Sequence, residues 1–240
     1  MSGPNGLPAF GRAALLLDVD GTLLDFAPTP DAVIVPPGLL DTLRLIKSRL
    51  GGALAVISGR PVEQVERFLA DAPHAIAGEH GGAIRHGPGE PLERPPLAEL
   101  PAGWLEEAKR IVAAHPGALL ERKARGLVLH YRAVPEAGAV LGDWLRGLAA
   151  RRPDAFEVLD GNMAFELRPL GADKGRAAAA LMARPPFAGR IPVFIGDDVT
   201  DLDAIRIAKA MGGEGLFVPD VFGSPAAVRD WLGRVAEQGW

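Results

Sequence analysis

Four short polar stretches of this 240-residue chain hold residue types that can work together on one reaction. Asp18-Val19-Asp20-Gly21-Thr22 sets two carboxylates two residues apart, with a hydroxyl close by. Ser58-Gly59-Arg60 adds a second hydroxyl, Lys174-Gly175 an ammonium, and Gly196-Asp197-Asp198-Val199-Thr200-Asp201 three further carboxylates. An Asp pair alone carries little, because Asp is common in turns and at helix starts. The four stretches together carry more. Two carboxylates on one turn can divide the roles of nucleophile and proton donor. Five carboxylates in one place repel each other, and any anionic substrate, unless cations intervene. These are the demands of phosphoryl transfer, where catalysis is mainly positioning and charge neutralisation around phosphorus.

Convergence of the four stretches needs a scaffold. The apolar runs 13–17 (AALLL), 53–57 (ALAVI) and 191–195 (IPVFI) have the length and continuity of strands buried on both faces. Each ends in polar residues: Asp18, Ser58, and Gly196-Asp197-Asp198. Helical periodicity covers 37–50, 62–70, 174–183, 201–211 and 226–237, with Gly51 and Gly212 as stops. Alternating strands and helices predict a parallel sheet with helices on both faces. Such sheets bind ligands at the carboxyl ends of their strands, where the three polar endings would meet.

The middle of the chain reads as a second α/β unit inserted into the first, fenced by Pro91, Pro95, Pro96 and Pro101 on one side and by residues 169–171 on the other. The pattern predicts helices over 104–114 and 137–150 and strands over 118–123, 127–132, 157–160 and 163–168, with Asp160-Gly161 as the turn between the last two. Alternation pairs Glu121 with Lys123, His130 with Arg132, and Glu166 with Arg168 on one face each, while Leu129, Tyr131, Phe165 and Leu167 turn the other way. An ordinary solvated sheet face and a hydrogen-bonding surface for a polyhydroxylated ligand both account for this pattern.

Composition narrows the partners. With 48% hydrophobic and 23% charged residues the chain is globular, and its length corresponds to about 1.6 average domains. Thirty Gly and 22 Pro punctuate apolar runs without a period, which excludes collagen-like and low-complexity architectures. The net charge is −4 and Lys and Arg form no cationic stripe, so no nucleic-acid partner is expected. Without cysteine there is no disulfide, thiolate metal site or thiol nucleophile. The run 13–17, bounded by Arg12 and Asp18, falls far short of a signal-peptide core or a membrane span of about 20 residues. A cytoplasmic monomer with no membrane partner is the expectation.

In order, spacing and strand-end placement, the four stretches resemble the motifs of the haloacid dehalogenase-like (HAD) phosphatases. Ile57-Ser58-Gly59-Arg60, Gly78-Glu79-His80-Gly81, Glu121-Arg122-Lys123 running to His130-Tyr131-Arg132, and Glu166-Leu167-Arg168-Pro169 leading to Asp173-Lys174-Gly175 resemble the trehalose-6-phosphate phosphatases. The resemblance implies a Rossmann-like parallel-sheet HAD core over residues 1–97 and 169–240. A smaller α/β cap of type C2B, over residues 98–168, would carry sugar specificity. It further implies Mg2+ as cofactor and a small-molecule sugar phosphate as substrate.

On this likeness Asp18 attacks phosphorus to form an aspartyl phosphate; Asp20 protonates the departing sugar oxygen and then deprotonates the attacking water. A carboxylate oxygen of Asp18, the backbone carbonyl of Asp20, and Asp197 are the expected metal ligands. Asp198 and Asp201 stand behind them, orienting waters or Lys174. Lys174 supplies the remaining positive charge and, with the hydroxyls of Thr22 and Ser58, holds phosphate oxygens. For the sugar, the resemblance points to Gly59, Arg60, His80 and Gly81 in the core and to Glu121, Lys123, His130, Arg132 and Glu166 in the cap. His80 fits an ordinary turn position equally well, and Tyr131 reads as packing. His74, His86 and His115 have no metal-ligand spacing.

Three features depart from the family pattern. Asn162 stands where Lys is usual, Leu202 replaces a Glu after Thr200-Asp201, and residues 213–228 lack the usual Gly-x-Gly-x-Thr. Leu202 lies outside the expected metal ligands, so activity should survive it. Sucrose 6-phosphate and mannosyl-3-phosphoglycerate are the alternative substrates, the latter disfavoured because no second cationic cluster awaits its carboxylate. A non-catalytic sugar-phosphate sensor is the alternative outside enzymes, but a binder gains nothing from an acid two residues past a nucleophile. A receiver domain needs only about 120 residues and no cap.

Overall fold

Residues 6–27, 32–161 and 163–240 are described by the computed structural model. The chain divides into two units, Met1–Pro95 with Asp173–Trp240, and Pro96–Ala172. In chain order the first unit begins with β1 (Ala13–Leu17), α1 (Leu39–Arg49), β2 (Leu54–Ile57), α2 (Val62–Leu69), β3 (Ala75–Gly78) and β4 (Ala83–Arg85). The second contains α3 (Trp104–Ala113), β5 (Leu119–Arg122), β6 (Leu127–His130), α4 (Gly138–Ala149), β7 (Phe156–Gly161) and β8 (Ala164–Pro169). The first resumes with α5 (Lys174–Met182), β9 (Ile191–Gly196), α6 (Leu202–Ala210), β10 (Glu214–Phe217), α7 (Val218–Val221) and α8 (Pro225–Gln238). No described helix is long and apolar enough to cross a membrane.

β1 consists only of Ala and Leu and β2 of Leu-Ala-Val-Ile, so neither has a residue suited to water on either face. Every residue of both is buried, which places them inside the sheet rather than at its edge. The observed order is β10-β9-β1-β2-β3-β4, parallel throughout except for β4. The chain leaves β1 toward β2 and β3, then returns after the second unit on the opposite flank as β9 and β10. That reversal is a topological switch point, and it opens a crevice at the carboxyl ends of the strands. Leu17 lies level with Val56 and with Ile195, so Asp18, Ser58 and Gly196-Asp197 emerge along one rim.

Helices cover this sheet. α1 buries Leu39, Leu43 and Ile46 at helical spacing and packs with α8; α5 packs with α6. Right-handed crossovers send helices laid down in opposite directions along the sheet to opposite faces. Arg49, in the last turn of α1, donates from Nη1 to the carbonyls of Val235 and Ala236 at 3.0 and 2.6 Å, tying α1 to α8. β3, β4 and β10 are not read from the sequence because each is short and its apolar run is interrupted by glycine or a charged residue. β10 and α7 occupy the segment where the Gly-x-Gly-x-Thr pattern is missing.

The second unit is an antiparallel sheet in the order β5-β6-β8-β7. Leu127, Leu129, Phe165 and Leu167 pack with Trp104 of α3 and with Leu141 and Leu145 of α4 to make a separate core. Tyr131 stacks on Phe165 with ring centroids 5.1 Å apart, as packing requires. The turn between β7 and β8 differs from expectation. Asp160 pairs with Phe165 and Gly161 with Ala164, so both residues belong to β7 and the reversal falls after them. Keeping Val158 opposite Leu167 preserves the alternation of the sheet faces, and this register outweighs the local Asp-Gly preference. Met163 takes φ 58° at the reversal.

Leu16 is fully buried at the centre of the first unit. Leu16→Ala is expected to cost about 2–5 kcal/mol, lowering the urea midpoint of that unit, since the hole cannot close around a central strand. An unchanged midpoint would contradict this packing.

Candidate active site

Asp18 is the first residue past β1, its N–H donating to the Ile195 carbonyl at 2.9 Å. Asp173 caps α5 by accepting the Arg176 N–H at 2.8 Å, so that Lys174 opens the helix with its side chain buried. Lys174 Nζ donates to Asp18 Oδ1 at 2.5 Å and to Asp201 Oδ1 at 2.7 Å. The other oxygen of Asp201 accepts the N–H groups of Asp197 and Asp198 at 3.1 and 3.0 Å, folding the loop after β9 back on itself. A Cβ on Gly196 would lie 2.4 Å from Asp201 Cγ, so this closure requires glycine. Asp198 is exposed, and its Oδ1 accepts the Val199 N–H at 2.7 Å as a helix cap.

The electrostatics follow from burial. Burial, and then the charge of Asp201, pushes the Asp18 carboxyl well above its ordinary pKa against the pull of Lys174. Asp197 rises to about 6 by burial and by the charge of Asp201. Burial disfavours the Lys174 ammonium, but the carboxylates of Asp18 and Asp201 outweigh it and push the pKa up. The cluster holds more negative charge than one ammonium neutralises.

Among the described residues, Asp18, Asp197 and Asp201 bring carboxylate oxygens within 4.8 Å of one another. Room for Asp197 comes from Gly21, where a Cβ would lie 2.1 Å from Asp197 Oδ2. Thr22 Oγ1 donates to Asp197 Oδ1 at 3.2 Å. An all-oxygen donor set with surplus negative charge fits a hard divalent cation. Both oxygens of Asp201 already accept hydrogen bonds, so Asp18 and Asp197 offer the more available donors.

A second group adjoins the first through the loops after β1 and β2. Arg60 clamps Asp20 with two hydrogen bonds, Nε to Oδ2 at 2.6 Å and Nη2 to Oδ1 at 2.7 Å. Buried Ser58 accepts the Arg60 N–H on its hydroxyl at 3.1 Å. Gly59 leaves the space that the His80 ring fills, since a Cβ there would lie 2.6 Å from His80 Nε2. Gly81, at φ 96°, lies against the Asp173 carbonyl, where a Cβ would come within 2.9 Å. Arg60, expected at the sugar, thus has its guanidinium on Asp20.

In the second unit, Glu121, Lys123 and His130 come together: Lys123 Nζ pairs with Glu121 Oε1, and His130 Nε2 lies 3.0 Å from Glu121 Oε2. Burial would raise the Glu121 pKa, but the hydrogen bond with His130 and the charge of Lys123 bring it down to about 2. Glu166 shares the same sheet face, opposite Val128, and Arg132 is exposed just past β6. Leu202 is exposed at the start of α6, and Asn162 lies outside the described residues. Two further ion pairs, like that of Arg60 with Asp20, were not read from the sequence. Arg229 of α8 donates to the Leu23 carbonyl and to Asp25, both at 3.0 Å, pinning the turn after Asp20. Arg94 pairs with Glu79, whose motif was visible but whose partner was not.

A family model described as trehalose-phosphatase matches residues 16–218. A Sinorhizobium fredii protein described as "Probable trehalose-phosphate phosphatase" is 36% identical over 222 residues, covering 92% of this chain and 82% of the relative. The trehalose-6-phosphate phosphatase of Escherichia coli is 34% identical over 209 residues, covering 84% and 76%. Among solved structures, the C-terminal domain of Candida albicans trehalose-6-phosphate phosphatase superposes with a TM-score of 0.77 at 22% identity, covering 94% of this chain and 93% of that one. At that identity the likeness concerns the fold.

The raised carboxyl of Asp197 has a consequence for stability. Its folded pKa, about 6, lies above the ordinary 3.8, so between those values the folded protein binds more protons than the unfolded chain. Its contribution to stability is therefore present at low pH and lost as pH rises through about 6. In chelator, the melting temperature of the protein should fall more between pH 4.5 and 7 than that of Asp197→Asn. A steeper fall in the variant would contradict the surplus of negative charge.

Proposed function

Because the chain belongs to the trehalose-phosphatase family of HAD-like phosphatases, we propose that it hydrolyses trehalose 6-phosphate to trehalose and phosphate, with Mg2+ as cofactor. The supporting observation in the fold is the buried Lys174 ammonium shared between Asp18 and Asp201, beside a second carboxylate, Asp20, on the same turn. A binding site for an anion would not bury acidic groups at its centre without cations to reverse their charge.

In this reading an oxygen of Asp18 attacks phosphorus in line while the bond from phosphorus to the sugar oxygen breaks. Asp20 gives its proton to that oxygen, so trehalose leaves as the neutral alcohol. Asp20 then takes a proton from water, whose oxygen attacks phosphorus and releases phosphate and the Asp18 carboxylate. Because both oxygens of Asp20 are held by Arg60, proton exchange with the leaving group requires one of those contacts to loosen. Lys174 neutralises part of the charge on Asp18 and on the transferred group, and Thr22 and Ser58 offer hydroxyls to the phosphate oxygens. Asp18, the backbone carbonyl of Asp20, and Asp197 would hold the metal, which supplies positive charge to the phosphoryl oxygens. Asp201 keeps Lys174 and the loop carrying Asp197 in place.

We assign the inserted unit to sugar recognition. Its supporting feature is the Glu121–Lys123–His130 group: a carboxylate held ionised, with cationic and imidazole groups beside it, can accept from and donate to vicinal hydroxyls.

Phosphate release from trehalose 6-phosphate should require added Mg2+, stop with chelator, and fall by at least about 10³-fold in Asp18→Asn, which removes the nucleophile while keeping the size and shape of the side chain. Turnover surviving in Asp18→Asn, or persisting in chelator, would overturn the mechanism. A panel of sugar phosphates in which sucrose 6-phosphate is cleaved faster would overturn the substrate.

A further inference from the structure

The turn between β3 and β4 is held in an unfavourable conformation. Glu79, His80 and Gly81 have φ of 55°, 52° and 96°, three successive residues in the left-handed region, two of which carry side chains. Such backbone persists only where its surroundings enforce it. The enforcement is visible on both sides. Arg94 holds the Glu79 carboxylate with two hydrogen bonds, Nη1 to Oε2 at 2.8 Å and Nη2 to Oε1 at 3.0 Å. Glu79 is only 11% exposed, so the pair is shielded from water on the carboxylate side.

The held turn supports the loop after β2. The Glu79 N–H donates to the Arg60 carbonyl at 2.9 Å, and the His80 N–H to the Ser58 carbonyl at 3.0 Å. Gly78 lies so close that a Cβ would stand 2.6 Å from the Arg60 carbonyl. Arg60 in turn clamps Asp20. Two forked arginine–carboxylate pairs, Arg94 with Glu79 and Arg60 with Asp20, are therefore joined by one backbone hydrogen bond. A fork fixes direction as well as distance, which a point charge such as Lys would not do.

We infer that Glu79 and Arg94 are positioning residues for the proton-transferring Asp20, acting through Arg60; the inference rests on the phosphatase reading above. Neither residue touches the reacting atoms. Loss of the outer fork lets the turn relax, moves the Arg60 backbone, and misaligns the inner fork, and misplacements on the order of 1 Å are costly to catalysis.

The test separates proton transfer from folding. A sugar oxygen leaves poorly without a proton, whereas p-nitrophenolate leaves without one, so kcat/KM for p-nitrophenyl phosphate does not depend on a well-placed acid. In the magnesium-loaded protein, Glu79→Gln and Arg94→Met should each lower kcat/KM for trehalose 6-phosphate about tenfold or more while leaving that for p-nitrophenyl phosphate within about twofold. The double variant should be no worse than Glu79→Gln alone, because the two residues act as one pair. Equal losses on both esters, no loss on the sugar phosphate, or losses that multiply in the double variant would overturn the inference. Wild-type protein that cleaves the aryl ester but not trehalose 6-phosphate would overturn the substrate alone; the comparison then runs on the sugar phosphate it does cleave.

Discussion

A single buried ammonium holds the candidate site together. Lys174 reaches Asp18 at the end of β1 and Asp201 at the start of α6, groups separated by 156 and 27 residues in sequence from it. Removing one partner of such a buried set leaves an uncompensated charge in low dielectric, which is strongly destabilising. The arrangement fixes where Asp18 and the acidic loop after β9 stand relative to each other. It leaves the site negative, which is what makes a divalent cation fit there.

The rest of the first unit serves that juxtaposition. β1 lies between β2 and β9, so the loops carrying Asp18, Ser58 and Asp197 leave one rim at matched heights. Glycines allow the approach: Gly21 yields to Asp197 and Gly196 to Asp201, where any side chain would overlap a carboxylate. Arg229 reaches across from α8 to hold the turn that follows Asp20. The second unit has its own core and a sheet face on which Glu121, Lys123 and His130 interact with each other.

Much of this was legible in the residues. The strands β1, β2 and β9 announce themselves as unbroken apolar runs, and the polar residues at their ends mark the rim because period and burial leave them nowhere else to go. β3 and β4 were not legible, since Gly78 and Arg85 cut their apolar runs short, whereas β2 is unbroken. The Asp160-Gly161 turn was misplaced because long-range register decides which residues reverse the chain, and a dipeptide carries only the local part. Charge pairing over distance was the least legible. Arg60 on Asp20 and Arg94 on Glu79 depend on side-chain geometry that spacing does not encode, although the motifs containing Arg60 and Glu79 were themselves apparent.

The proposed mechanism requires residue 18 to carry the phosphoryl group for part of each turnover. Acid quenching during steady-state cleavage of trehalose 6-phosphate, borohydride reduction and peptide mass spectrometry would read that directly. The expected result is residue 18 recovered as homoserine, the product of a reduced acyl phosphate, and no such conversion at Asp20 or Asp197. Rapid turnover with Asp18 recovered unmodified at every quench time, or with the label on another carboxylate, would contradict it.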